Sequence, residues 1–308
     1  MSVAAETRPR GWAPPEEKPS FRSRIAAYYE LTKPGITRLV LLTTGVGFYI
    51  ASPAGGVDFL RLIHTLIGTV LAASGTHALN EYVERDIDRL MLRTSRRPLP
   101  SGRIRPGEAL LFAASLAAVG IVYVGFLVNV TTAAVILASL VSYVFIYTPL
   151  KRRTSLCTLV GAVPGALPIL AGWTATGRPI EIGAWILFAI VFLWQIPHFL
   201  ALAWMFRDDY RNAGFVMISL DDVDGRGTGR QIFNYTAALL PVSLLSSAIG
   251  LTGWIYFAGA LAIGAAFLAI ALAALIRRDK VWSRRLFFAS VLYLPAVLFF
   301  MVVDKALV

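Results

Sequence analysis

His77, Asn80, Glu84 and Asp88 follow one another at intervals of three and four residues in the segment "HALNEYVERDIDRLMLRTSRRPLPSGR" (77–103). On a helix advancing about 100° per residue, with His77 at zero, Asn80 falls at about −60°, Glu84 at about −20° and Asp88 at about +20°. One face therefore carries an amide oxygen and two carboxylates, with His77 beneath them. Asp86 falls near 180°, where an arginine is its expected partner. Amide and carboxylate oxygens are hard ligands, and magnesium is commonly held by one or two carboxylates while a substrate's phosphates complete its shell. Arg93, Arg96 and Arg97 follow directly, and the guanidinium fork matches phosphate oxygens. Acids for a cation beside arginines for an anion form the arrangement a diphosphate requires. A second stretch, "PHFLALAWMFRDDYRNAG" (197–214), repeats the theme: Pro197 is expected to kink a helix, and Asp208, Asp209 and Arg211 follow. A third, "YTPLKRRTS", offers Lys151, Arg152 and Arg153.

These groups sit in an oily chain. Of 308 residues, 57% are hydrophobic and only 15% charged, and the mean hydropathy is +0.67, which excludes an ordinary soluble domain. Uncharged runs cover 39–57, 109–150, 154–177, 182–206, 231–276 and 286–303. A crossing needs about 20 apolar residues, so 109–150 and 231–276 are long enough for two each. Turns are expected near Asn129-Val-Thr-Thr and Gly250-Leu-Thr-Gly. With the weaker segment 62–81, the reading is an all-α integral membrane protein with nine transmembrane helices, since open sheets leave backbone groups unsatisfied in lipid. Nine spans place 26 of the 29 Lys/Arg on one side, leaving Arg61, Arg178 and Lys305 for the other. The positive-inside rule assigns the N-terminus and the charged loops to the cytoplasm or matrix. Residues 1–30, with Pro9, Pro14, Pro15 and Pro19 and no continuous apolar stretch, are expected to form a mobile cytoplasmic tail; residues 31–308 are expected to form a single membrane domain.

Two connections, about 82–107 and 207–230, are longer than bundle loops usually are. Five of the 18 acids lie in 81–108 and five more in 207–230. Four spans separate them, which suggests two four-helix halves plus a ninth helix. The net charge of +11 follows from membrane topology, and no helix-turn-helix or zinc-finger pattern accompanies it, so no nucleic-acid partner is expected. Cys157 is the single cysteine, which excludes an intrachain disulfide framework; it reads as a small apolar residue of the fifth span. A transporter would place ionisable groups near the midplane, whereas here they cluster at one face. A purely structural assembly factor would treat the acids as solvated loops, yet Asn80 and Glu84 lie at or near membrane depth, where polar groups are costly.

The segment "NEYVERDIDRLMLRTSRRPLPSG" (80–102) resembles the first aspartate-rich motif of the UbiA superfamily of intramembrane prenyltransferases, most closely its haem O synthase (protohaem IX farnesyltransferase) branch. "LTKPGITRLVLLTTGVGFYIA" (31–51) resembles that branch's first helix, and residues 147–177 and 197–214 resemble two further blocks. The likeness covers 31 to about 230. Glu84 stands where the family usually has aspartate, and Val216 where it usually has proline.

The resemblance implies a UbiA-like bundle with a cytoplasmic-side cap from the two long loops, in the bacterial plasma (inner) membrane or the mitochondrial inner membrane. It implies farnesyl transfer from farnesyl diphosphate to a vinyl group of haem B, giving haem O and diphosphate, with Mg2+ as cofactor. In that frame Asn80, Glu84 and Asp88 hold one magnesium, and Asp209 with Asp208 a second. Arg93, Arg97, Lys151 and Arg152 are candidates for the diphosphate, Lys33 and Arg38 for the mouth of the site, and His198 and His77 for the haem. Farnesyl diphosphate, haem B, the lipid bilayer and a haem A synthase or other haem-handling membrane protein are the implied partners. The alternative within the superfamily is polyprenyl transfer to an aromatic quinone precursor.

Overall fold

The chain breaks its helices where glycine, proline and small polar residues interrupt the apolar runs. The computed structural model describes residues 20–53 and 55–307. Helices α1 (Phe21–Leu31), α2 (Pro34–Ala51), α3 (Phe59–Asp88) and α4 (Pro106–Leu127) come first. α5 (Val130–Val141) runs through a π-helical turn, Ser142–Tyr147, into the short α6 (Thr148–Leu150). Then follow α7 (Cys157–Ala175), α8 (Ile182–Met205), α9 (Arg207–Asn212), α10 (Ile218–Asp221), α11 (Arg226–Ala248), α12 (Trp254–Arg277) and α13 (Lys280–Ala306). Both expected turns fall in place. Asn129 caps α5 by accepting the Thr132 N–H at 2.8 Å, and Gly250 takes the positive φ of 73° that ends the α11 connection.

The long helices pack in chain order, each on the next, and α13 returns to α2; α7 and α8 pack in addition against α2 and α13 respectively. With little hydrophobic drive between helices in lipid, close approach of small residues supplies contact. Gly75 and Gly120 do this between α3 and α4, where an added Cβ would strike the backbones of Ala117 and Ala72. Among the described residues, eight helices are long and apolar enough to cross a membrane. The helix expected to make a ninth crossing, α11, has 23 residues but begins with Arg226, Arg230, Gln231 and Asn234, which lower its hydropathy.

One expectation is corrected. Residues 21–30, read as part of a mobile tail, lie in helix α1; of the rest of that tail, 1–19 lie outside the described residues. The helix starts because Ser20 accepts the Ser23 N–H at 3.2 Å, and because Ala27 and Leu31 share one face. Both are buried against Ala78, Leu99, Ile104 and Ala109. The prolines that suggested a tail all precede Ser20.

Candidate active site

Nothing between Ala78 and Arg97 interrupts α3 with glycine or proline, and the helix runs unbroken to Asp88. Asn80, Glu84 and Asp88 share its inward face, and their relative exposures are 1%, 4% and 1%. Asp86 points away and pairs with Arg85 at 3.5 Å and Arg89 at 3.8 Å. Three cations from three other segments meet the buried donors. Lys33 Nζ donates to Asn80 Oδ1, Lys151 Nζ to Glu84 Oε1 and Arg97 Nη1 to Asp88 Oδ2, each at 2.7 Å. The Asn80 amide nitrogen donates to Glu84 Oε2 and Thr148 Oγ1, both at 3.0 Å, which turns its oxygen toward Lys33.

The cations are themselves held. Lys33 is the elbow between α1 and α2, with φ of 49°. A left-handed conformation is uncommon for a residue other than glycine, and such strain concentrates at functional positions. Burial and the nearby Arg97 push the Lys33 ammonium down to about 8. Burial works against the charge of Lys151 as well, but Glu84 outweighs it and the pKa rises. The same balance raises Arg97, with Asp88 prevailing over burial. Lys151 also lies over the Tyr147 ring, 4.6 Å from its centroid, and its carbonyl accepts the Val216 N–H at 2.8 Å. A proline at 216, usual in the resembled pattern, has no such donor, so this departure ties the loop after α8 to the base of the lysine.

Two contiguous spaces result. A polar pocket of about 140 Å³ lies between Lys33, Asn80, Glu84, Asp88, Arg97 and Lys151. Beneath it, a cavity of about 290 Å³ is walled mainly by apolar side chains of α2, α3, α5, α7 and α8. Ile36, Tyr143, Tyr147, Phe199 and Leu202 border both. The tyrosines reach this boundary from the π-helical turn. Pro149 lacks an N–H and its ring crowds the carbonyl four residues earlier, and a wider turn upstream relieves that conflict.

The structure separates the remaining candidates. Asp209 accepts the Arg93 N–H at 3.4 Å, so it joins the two long loops rather than the donor face. The loops also meet through Met91, Tyr210 and Phe215. Arg93 borders the polar pocket, with its guanidinium 3.5 Å from the Tyr210 hydroxyl. Asp208 does not reach the pocket: its side chain is 79% exposed, beside Arg211. Arg152 and Arg38 are exposed, and Arg38 donates to the Pro34 carbonyl of its own helix. One turn of a helix or a short loop is enough to send adjacent cations in opposite directions. His77 and His198 both line the apolar cavity. Cys157, expected within a span, is the first residue of α7 and borders the polar pocket. Among the described residues no three His, Cys, Asp or Glu side chains cluster as a metal cage. The donor set is instead two carboxylates and an amide, which suits Mg2+ completed by phosphate oxygens.

The UbiA prenyltransferase family model matches residues 40–293. The chain belongs to this family. It is 45% identical to a protoheme IX farnesyltransferase of Solibacter usitatus, over 90% of this chain and 98% of that one. It is 42% identical to a protoheme IX farnesyltransferase of Myxococcus xanthus, over 89% and 93%. Among solved structures, that of a digeranylgeranylglyceryl phosphate synthase shares the fold with a TM-score of 0.77 at 17% identity, covering 92% of this chain and 99% of that one. A UbiA homolog from Archaeoglobus fulgidus bound to GPP and Mg2+ gives 0.65 at 16% identity, covering 89% and 99%.

Within this UbiA chain, sequence reasoning missed Tyr143, Tyr147 and Thr148. Their signal was present in "YVFIYTPLK", where tyrosines four apart precede a proline and then Lys151. Nothing local indicated that this run would close over Asn80.

Proposed function

We propose that the chain transfers a farnesyl group from farnesyl diphosphate to a vinyl group of haem B, giving haem O and diphosphate. The observation that carries the reading is the buried triad Asn80, Glu84 and Asp88, ringed by Lys33, Lys151 and Arg97 at the mouth of an apolar cavity. The relatives named protoheme IX farnesyltransferase support the acceptor.

Asn80, Glu84 and Asp88 would hold Mg2+, which supplies positive charge toward the leaving diphosphate. Lys33, Lys151, Arg97 and Arg93 bind and orient the diphosphate, and their charge counts for more in a site that excludes water. The apolar cavity takes the isoprenoid chain and shields the allylic cation until the vinyl carbon attacks; one water then adds to the cation left on the other vinyl carbon and loses a proton to solvent, supplying the hydroxyl of haem O. His198 and His77 face the haem from the cavity walls. Asp209 orders the first loop by holding the Arg93 backbone, and a second magnesium at Asp208 and Asp209 is not part of this reading. Residues 31–308 act as one domain with nine crossings, the pocket opening on the cytoplasmic or matrix side, where 26 of 29 Lys/Arg would lie.

Purified protein incubated with haem B, farnesyl diphosphate and magnesium, with haems analysed by mass, tests this. A hydroxyethylfarnesyl haem that disappears with chelator is the expected product. Prenylation of an aromatic acid instead, with haem untouched, would keep the diphosphate site and replace the acceptor.

A further inference from the structure

Both cavity histidines are held by a hydroxyl whose hydrogen is already committed. Ser290 Oγ donates to the Phe287 carbonyl at 2.6 Å and lies 2.8 Å from His198 Nδ1. Thr37 Oγ1 donates to the Thr32 carbonyl at 2.9 Å and lies 3.2 Å from His77 Nδ1. A hydroxyl has one hydrogen, so in each pair the oxygen can only accept from the ring. With the hydroxyl hydrogen on the carbonyl, the proton of each ring sits on Nδ1, and Nε2 is left as a bare lone pair. Among the described residues neither Nε2 has a hydrogen-bond partner, and both rings line the same apolar cavity.

The ring planes are fixed as firmly as the protons. His198 lies between Trp194 and Phe287, with centroids 5.3 Å and 4.8 Å away and interplanar angles of 22° and 27°. The Trp194 indole N–H donates to the Ser290 carbonyl at 2.6 Å, so one residue anchors both the ring and its neighbour. His77 is buried and meets Tyr143 edge-on at 6.1 Å. An oriented imidazole with its Nδ1–H engaged and its Nε2 free is the arrangement that outer partners impose on histidines that bind metals. In a solely structural histidine, the second nitrogen would be expected to find a protein partner as well.

We propose that Ser290 and Thr37 are positioning residues, each locking a histidine as its Nδ1–H tautomer, so that His198 and His77 present unprotonated Nε2 atoms to the iron of the haem acceptor. The inference rests on the proposed reaction for its ligand; the tautomers follow from the hydrogen bonds alone. Histidines at the iron would hold the porphyrin at a fixed depth beneath the diphosphate pocket, and so fix which edge of it meets the isoprenoid carbon.

The test is a titration of the full-length protein in detergent with ferric haem b, followed by absorption and electron paramagnetic resonance. Wild type should give an imidazole-ligated spectrum, which His198→Ala and His77→Ala should each alter. Ser290→Ala and Thr37→Val should weaken haem affinity about 10-fold or more, as loss of an outer partner does, while inorganic diphosphate still binds. Ser290→Thr and Thr37→Ser, which keep the acceptor oxygen, should restore affinity; these pairs also separate a lost hydroxyl from a folding defect. Unchanged spectra and affinities in Ser290→Ala and Thr37→Val would overturn the proposal. Haem O formed by a protein with no imidazole signature would overturn it while sparing the proposed reaction. Failure of wild type both to bind haem and to prenylate it would sink the two together.

Discussion

The two ends of α2, about 27 Å apart at 1.5 Å per residue over 18 residues, both bury charge, and they neutralise it differently. At the pocket end, Glu84 and Asp88 face the side-chain cations Lys151 and Arg97, with open volume in front of them. At the other end, the buried Asp304 accepts the N–H groups of Gly253, Ile255 and Tyr256 at the start of α12. Beside it, Lys305 donates to the carbonyls of Tyr49, Ile50 and Ser52, at 2.6, 2.9 and 2.6 Å, where α2 ends. Backbone groups at helix termini are fixed dipoles that need partners wherever they are buried, so Asp304 and Lys305 clasp the last helix to α12 and α2. Lysine and arginine side chains can turn from a carboxylate to an incoming phosphate. A buried charge answered by the backbone is structural; one answered by mobile side chains around an open pocket is available to a ligand.

That contrast can be broken first at Asp88. Asp88→Asn should lower turnover by about 10²–10³, the scale for loss of one group that stabilises developing charge. Turnover measured on the monodisperse folded fraction reads this directly, and near-normal activity would remove Asp88 from the site. Asp304→Asn should do the reverse. Removing a charged acceptor from buried N–H groups costs roughly 3 kcal/mol, which a lower unfolding midpoint in detergent would report, with little change in turnover per folded molecule. Equal effects of the two variants on both quantities would erase the distinction.

Two smaller changes sharpen it. Lys151→Met and Glu84→Gln, made singly and together, form a double-mutant cycle. A coupling of about 1–3 kcal/mol is expected in the stability of the ligand-free protein, along with a raised KM for the diphosphate in Lys151→Met. A coupling near zero would mean that the lysine is not engaged before substrate arrives. Val216→Pro deletes the N–H that holds the Lys151 carbonyl, a loss of about 1 kcal/mol, and should raise that KM a few-fold while Val216→Ala leaves it alone. Indistinguishable KM values for the proline and alanine variants would show that the anchor is idle.

How much of this could be read from the chain follows from range. The Asn80, Glu84, Asp88 face and the outward turn of Asp86 were legible because one uninterrupted helix sets them, and helical periodicity is a local property. The span boundaries at Asn129 and Gly250 were legible for the same reason, through capping and turn chemistry. The loop residues were not: Arg152 and Lys151 are neighbours, and only one enters the pocket. Asp208 and Asp209 likewise part company, because a loop's side-chain directions depend on what it packs against. The helix at 21–31 was missed because its four upstream prolines dominated the composition, although the Ser20 cap and the Ala27 and Leu31 face were present.

By itself, then, the sequence determined an all-helical membrane protein with hard oxygen donors on one helix face and most of its basic residues in alternate loops, since hydropathy, length and period act within a segment. Only the tertiary structure decided which cations answer those donors, that Tyr143, Tyr147 and Thr148 close over them, and that Ser290 and Thr37 set the protons of two histidines. Each of those contacts joins segments more than 30 residues apart, apart from the Arg97–Asp88 pair, and depends on how whole helices pack rather than on any local pattern.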